Sequence, residues 1–188
     1  MTYDRSWLLD AVERGQALKF LYFWGHTNRQ NEPVGKFCFS QWYESPFVVD
    51  EITYLTAEHW MMAQKAQLFG DTEIAQRILK ATKPGEVKQL GREISGFEEA
   101  AWVEARYEIV RAGNSHKFSQ HPALAEYLRN TADRVLVEAS PVDPIWGIGL
   151  AQDDPRAADV RDWQGLNLLG FALMEVRDEL RARSDFSK

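Results

Sequence analysis

One cysteine, Cys38, stands among 188 residues. No internal disulfide can staple this chain, and with no CxxC pair and no Cys/His cluster at zinc spacing, a structural zinc site is excluded too. A reducing compartment suits such a chain. Long hydrophobic runs are also missing: nowhere do eighteen apolar residues follow one another, so no membrane span is expected. Asp4, Arg5, Asp10, Glu13 and Arg14 interrupt the first twenty residues and leave no apolar stretch for a signal peptide. We therefore expect a cytoplasmic protein with no membrane partner. Positive charge is in short supply, with 22 Lys and Arg against 28 Asp and Glu and a net charge of −6. That balance opposes the counterion-release attraction behind nonspecific nucleic-acid binding, which confines any such contact to a local one. The four histidines, His26, His59, His116 and His121, form no HExxH pattern, and no P-loop, GxGxxG fingerprint or GxSxG elbow occurs. No metal and no cofactor are expected, and hydride or phosphoryl transfer through those motifs is disfavoured.

What is present is aromatic surface, with seven Trp and ten Phe in a chain of one-domain length. At this size roughly 70% of the unfolded surface can be buried. No fixed-period repeat interrupts the reading as a single domain. Residues 6–14 predict a short helix before Gly15, and Leu18 to Trp24 predicts a buried strand ending at Gly25, followed by the polar loop HTNRQNEPVG. Two short extended pieces, 46–50 and 52–55, flank Asp50-Glu51 and are expected to form a small sheet with that first strand. Helices follow. Thr56 caps one over 57–69, Asp71 caps the next to about Thr82, and Pro84 sits in a first turn. Apolar spacing predicts a helix over 97–112 ending near Gly113-Asn114, and another over 122–131. Residues 134–139 alternate as a strand or an extended lead into a loop. Residues 140–165 show no period, and a loop of that length carrying Trp146 and Trp163 invites a functional reading. The last helix, about 167–183, turns Leu169, Leu173, Val176 and Leu180 inward. The fold class expected is mainly α, an α+β arrangement with a small β component in one compact helical domain.

Chemistry concentrates in three places. Helical spacing over 56–69 (TAEHWMMAQKAQLF) puts Glu58, Met62, Lys65 and Phe69 on one face. A carboxylate and an ammonium on an otherwise apolar face imply either pairing or a polar cleft; a structural ion pair is as good a reading as a site. His59 lies about 100° round the helix, as substrate contact or as a satisfied structural histidine. In SPVDPIWGIGL (140–150), Asp143 precedes Trp146 and Gly147. Glycine lets backbone approach a ligand and indole offers a stacking face, although an Asp-Pro turn pinned by a tryptophan would read the same. In WQGLNLLG (163–170), Asn167 opens the last helix as cap or contact. Trp102, in mid-helix, is by itself an ordinary core residue.

In order along the chain, LYFWG, KFCFSQWYESPF, Thr56-Ala57-Glu58-His59 with Gln64-Lys65, Trp102, Lys117-Phe118, DPIWGIGL and WQGLNLLG resemble the NADAR family, which includes the YbiA-like N-glycosidases of riboflavin intermediates. The resemblance spans about Phe20 to Leu180. It implies a helical N-glycosidase domain over 20–183, an N-terminal helical extension over 1–19 and a tail over 184–188. It implies Glu58 as catalytic glutamate, Trp102 as a second active-site residue and Asp143 as an acidic partner. Lys65 would hold substrate charge or orient Glu58, and Trp24, Gly25, Ser40, His59, Trp146, Gly147 and Asn167 would line the substrate site. Two departures stand out. Asp50-Glu51 replaces an Asp-Gly turn, which touches hairpin geometry, and Ser40-Gln41 replaces Ser-Asn, which touches substrate identity.

The implied reaction is hydrolysis of a ribose C–N bond through an oxocarbenium-like transition state. Its substrate would be a small nucleotide-like molecule, first of all a phosphoribosylamino-pyrimidine of riboflavin synthesis. Two rivals are removal of ADP-ribose from guanine in nucleic acid, reached through the one modified base, and a non-catalytic reader of ADP-ribose or NAD-like ligands.

Overall fold

The computed structural model describes residues 2–28 and 31–185, so two residues of the predicted polar loop and the last three of the predicted tail lie outside the described residues. The fold is mainly helical with few and short strands. Contacts divide it into two compact units, one made of the first 40 residues together with the chain from Pro122 onward, the other of Gln41–His121.

The first unit holds α1 (Arg5–Glu13), β1 (Phe20–Phe23), α6 (Pro122–Arg129), β4 (Val135–Glu138) and α7 (Leu168–Asp185). Asp4 starts α1 by accepting the Trp7 N–H at 2.7 Å. β1 pairs with β4 in parallel, Phe20 opposite Val135 and Phe23 opposite Glu138. This corrects the expectation that β1 joins the hairpin after it. The alternation at 134–139 therefore marks a strand, and its Val135, Leu136 and Val137 are all buried, as a parallel pair covered on both faces requires. α7 packs on β4, and its Leu169, Phe171, Leu173 and Val176 are all essentially without exposure. It extends to Asp185, past the expected end at 183. Two short 3-10 turns, 155–158 and 160–162, order part of the stretch that shows no period in sequence.

The second unit holds β2 (Phe47–Val49), β3 (Ile52–Tyr54), α2 (Ala57–Leu68), α3 (Thr72–Lys80), α4 (Pro84–Leu90) and α5 (Glu99–Gln120). β2 and β3 form a two-residue hairpin in which Phe47 and Tyr54 face each other as buried stacked rings, centroids 5.7 Å apart. Asp50 and Glu51 take positive φ, 48° and 65°, the pattern of a hairpin turn that favours glycine. α2 packs against α3, α4 and α5. α5 runs eight residues beyond the expected end at 112. Gly113 is a packing device here, because a Cβ at that position would overlap the Trp60 indole, whose Nε1 donates to the Ile109 carbonyl at 2.8 Å. Asn114 stays helical and donates to the Val110 carbonyl one turn back at 2.9 Å.

Candidate active site

In the second unit the site grows from the start of α2. Thr56 caps the helix, accepting the His59 N–H at 3.3 Å. Glu58 falls in the first turn, where unsatisfied helix N–H groups favour an anion. Its own N–H donates to the Gln41 carbonyl at 3.0 Å, and its side chain is only 3% exposed. Residues 57–63 are buried without exception, so the start of α2 is enclosed on every side and not on one stripe alone. Carboxylates are seldom sunk this deep in a protein unless the surroundings use the charge.

His59 is also buried, and both ring nitrogens are engaged. Nε2 donates to the Ala81 carbonyl at 3.1 Å, and Nδ1 accepts the Thr56 hydroxyl at 2.8 Å. That tautomer is neutral, in keeping with burial pushing the His59 pKa below its usual value against the opposing pull of the Ala81 bond. Lys65, two turns along α2, donates to the Gly91 carbonyl at 2.8 Å, with its ammonium 4.4 Å from the Phe97 ring centroid and 5.5 Å from that of Trp102. Burial lowers its pKa and the charge of Glu99 works the other way. Trp102 is 9% exposed and Phe97 41% exposed, so this cation–aromatic cluster reaches solvent along Phe97.

Four buried polar residues, Gln41, Arg106, Asn114 and Lys117, receive no site role from the sequence, in which Gln41 stands out only as a departure and Lys117 only as a motif position. The last three lie on α5 with Val110 at helical spacing, a polar stripe inside an apolar one. That spacing could have revealed them; Asn114 instead read as a helix end. Asn114 Nδ2 donates to Gln41 Oε1 at 2.9 Å. Lys117 has no exposed surface, and its ammonium lies 5.6 Å from the Tyr43 ring and 5.2 Å from that of Phe118.

The remaining predicted residues belong to the first unit. Trp24 is 59% exposed at the end of β1, and Gly25 follows it with φ of 80°. Ser40, half-buried, closes the 3-10 turn 36–39. Asp143 Oδ1 accepts the N–H groups of Ile145 and Trp146 at 2.9 and 2.8 Å and so folds the loop back on itself. Two sequence motifs then prove to be one structural piece, because the 143–149 loop is tied to 163–169 by main-chain bonds. Gln164 donates to Ile148, Leu166 to Pro144, Asn167 to Gly147 and Leu169 to Trp146, at 2.9 to 3.1 Å. Gly147 is buried at this crossing, and a Cβ there would meet the Glu138 carbonyl at 2.7 Å. Trp146 is half-buried. Asn167 is fully buried with φ of 55°. Its Oδ1 accepts the Glu138 N–H and its Nδ2 donates to the Leu136 carbonyl, both at 2.9 Å, so one side-chain amide completes the edge of β4.

Among the described residues no group of three or more His, Cys, Asp or Glu is placed to hold a metal ion, and no helix is long and apolar enough to cross a membrane.

Comparison with known proteins points to one family. An N-glycosidase of Acanthamoeba polyphaga mimivirus is 39% identical over 86% of this chain and 96% of its own length. A chloroplastic riboflavin biosynthesis protein of Zea mays is 35% identical over 70% of this chain and 20% of its own. The N-glycosidase YbiA of Escherichia coli is 32% identical over 76% of this chain and 80% of its own. The NMR structure of E. coli YbiA superposes with a TM-score of 0.71 at 27% identity, covering 88% of this chain and 87% of that one. The model of the NADAR domain matches residues 22–181, and the chain belongs to the NADAR family.

Proposed function

We propose that this protein is an N-glycosidase that hydrolyses the ribose C–N bond of a small nucleotide-like substrate, a phosphoribosylamino-pyrimidine of riboflavin synthesis above others. The names of its relatives support the bond type, and the maize relative supports the pathway. The observation that carries the reading is the burial of Glu58 in the first turn of α2. As the C–N bond breaks, the electron pair leaves with nitrogen and positive charge gathers on the anomeric carbon and ring oxygen. A carboxylate held in a water-poor recess stabilises that cation and orients the incoming water. The water oxygen bonds to the anomeric carbon, one of its protons goes to the departing amine, and ribose phosphate and free base result.

Within this proposal Trp102 walls the base, and the Lys65 ammonium, held at the rim by Gly91, meets a phosphate. Asp143 is the second acid/base group. Trp146 and Trp24 offer aromatic faces, and Gly25, Ser40 and Gly147 offer main-chain approach. His59 and Asn167 serve by holding their segments in place, since the polar atoms of both side chains are already bonded within the protein.

The test is a substrate panel: a ribosylamino-pyrimidine phosphate, DNA carrying ADP-ribosyl-guanine, and free ADP-ribose, with chromatography of products. Release of pyrimidine and ribose phosphate, falling by about 10²-fold or more in Glu58→Gln, is the expected result. Undiminished turnover in Glu58→Gln would overturn the role of Glu58. Cleavage of the DNA adduct alone would replace the substrate, and binding of ADP-ribose with no turnover of any substrate would replace the enzyme by a reader.

A further inference from the structure

Nearly every buried polar atom in a folded protein meets a hydrogen-bond partner, so an exception marks a place built for something else. Gln41 and Asn114, 7% and 0% exposed, form such a place. Asn114 Nδ2 donates both to the Val110 carbonyl and to Gln41 Oε1. The bond to a main-chain carbonyl fixes which end of the Asn114 amide is nitrogen, and Gln41 must then turn its oxygen toward it. Gln41 Nε2, a donor, and Asn114 Oδ1, an acceptor, are left over. Neither has a hydrogen-bond partner among the described residues. Leaving both empty is costly, as each buried polar atom forfeits the bond it had with water. The main chain of Gln41 is also tied to the start of α2, since the Glu58 N–H donates to the main-chain carbonyl of Gln41.

We propose that Gln41 and Asn114 bind the substrate hydroxyl next to the anomeric carbon, Gln41 donating to its oxygen and Asn114 accepting its proton. They are the residues that make the enzyme select ribosyl over 2-deoxyribosyl N-glycosides. The proposal rests on the N-glycosidase reading of Glu58. A hydroxyl accepts and donates at a single atom, which matches one spare donor and one spare acceptor. If Glu58 meets the sugar at C1, the hydroxyl on C2 is the nearest hydroxyl the substrate has to offer. Hydrogen bonds to that hydroxyl strengthen in the transition state of glycoside cleavage. A site built to bond a hydroxyl rejects the analogue lacking it far more strongly than an apolar pocket rejects a missing methylene.

The experiment compares kcat/KM of wild type and Gln41→Met on a ribosylamino-pyrimidine phosphate and its 2-deoxyribosyl counterpart, with Tm recorded for both proteins. Taking the ratio between substrates cancels their different intrinsic reactivity. Gln41→Met is expected to lose about 10-fold to 100-fold on the ribosyl substrate and to stay within about threefold on the deoxy one, so that discrimination collapses. A second readout needs no variant: ribose 5-phosphate should inhibit the wild type about 10-fold or more tightly than 2-deoxyribose 5-phosphate. Equal losses on both substrates would reduce the amide pair to a structural role and overturn the inference, as would equal inhibition by the two sugar phosphates. If the wild type cleaves neither substrate, the N-glycosidase reading itself falls; if it cleaves them with a ratio that Gln41→Met leaves unchanged, only the present inference does.

Discussion

Replacing Asn167 by alanine removes one small side chain and unpairs two peptide groups. Its amide bonds the Leu136 carbonyl and the Glu138 N–H, both at 2.9 Å, and the residue has no exposed surface for water to enter. A buried polar group left unpaired costs about 1–3 kcal/mol, and two of them about 2–6. Alanine held at φ of 55° adds about 1–2 kcal/mol of left-handed strain that asparagine tolerates better. We expect a loss of about 4 kcal/mol, a large part of the roughly 5–15 kcal/mol that holds a domain folded. At about 2–4 °C per kcal/mol for a chain of this size, Tm should fall by about 10 °C. Urea unfolding followed by tryptophan fluorescence would show a lower midpoint at unchanged slope. Asn167→Gly, which removes the strain but still lacks both bonds, should recover about 1 kcal/mol of the deficit. Retention of wild-type stability to within about 1 kcal/mol would refute the role of Asn167 as the edge of β4. Lost turnover in that stable variant would return it to the substrate contacts.

Three further outcomes follow from the same geometry. Asp143→Asn keeps the oxygen that accepts the Ile145 and Trp146 N–H groups, so Tm should hold while kcat falls by about 10²-fold; unchanged kcat would take Asp143 out of the acid/base proposal. His59 is held neutral by burial with a pKa below 6.5, so below that pH the unfolded chain binds a proton that the native one refuses. Stability should be complete above pH 6.5 and decline as pH falls beneath it, and His59→Gln should flatten that limb of a Tm–pH curve; a wild-type limb kept intact in the variant would refute the assignment. Glu51→Gly relieves a residue held at φ of 65° in the hairpin turn and should raise stability by about 1 kcal/mol in urea melts, whereas a loss would show that the Glu51 side chain contributes more than its strain.

The helices were legible where capping and period agree. Thr56 before α2, Asp71 before α3 and Pro84 at the start of α4 carry their signals within a few residues. The α5 end was not, because Gly113-Asn114 looks like a stop signal until a distant Trp60 is known to lie against it. The partner of β1 was hidden for a related reason: parallel pairing carries no turn, and β4 is far along the chain. In the candidate site, motif resemblance pointed to Glu58 and Trp102, and the structure adds how deeply both are buried. Gln41 and Asn114 stayed hidden as a pair because polar residues announce burial only through the neighbours that enclose them.

The second unit is one unbroken stretch of chain, while the first is assembled from two pieces. During synthesis the stretch 41–121 leaves the ribosome complete, with α3, α4 and α5, against which α2 packs, at hand. β1 has by then been waiting, since the strand it pairs with is made after that whole insertion. Vectorial synthesis thus favours an order in which the inserted helices consolidate early and the sheet closes late. A nascent chain stalled before Val135 would expose Leu21 and Phe23 without their strand, and it is there that a chaperone would find its hold.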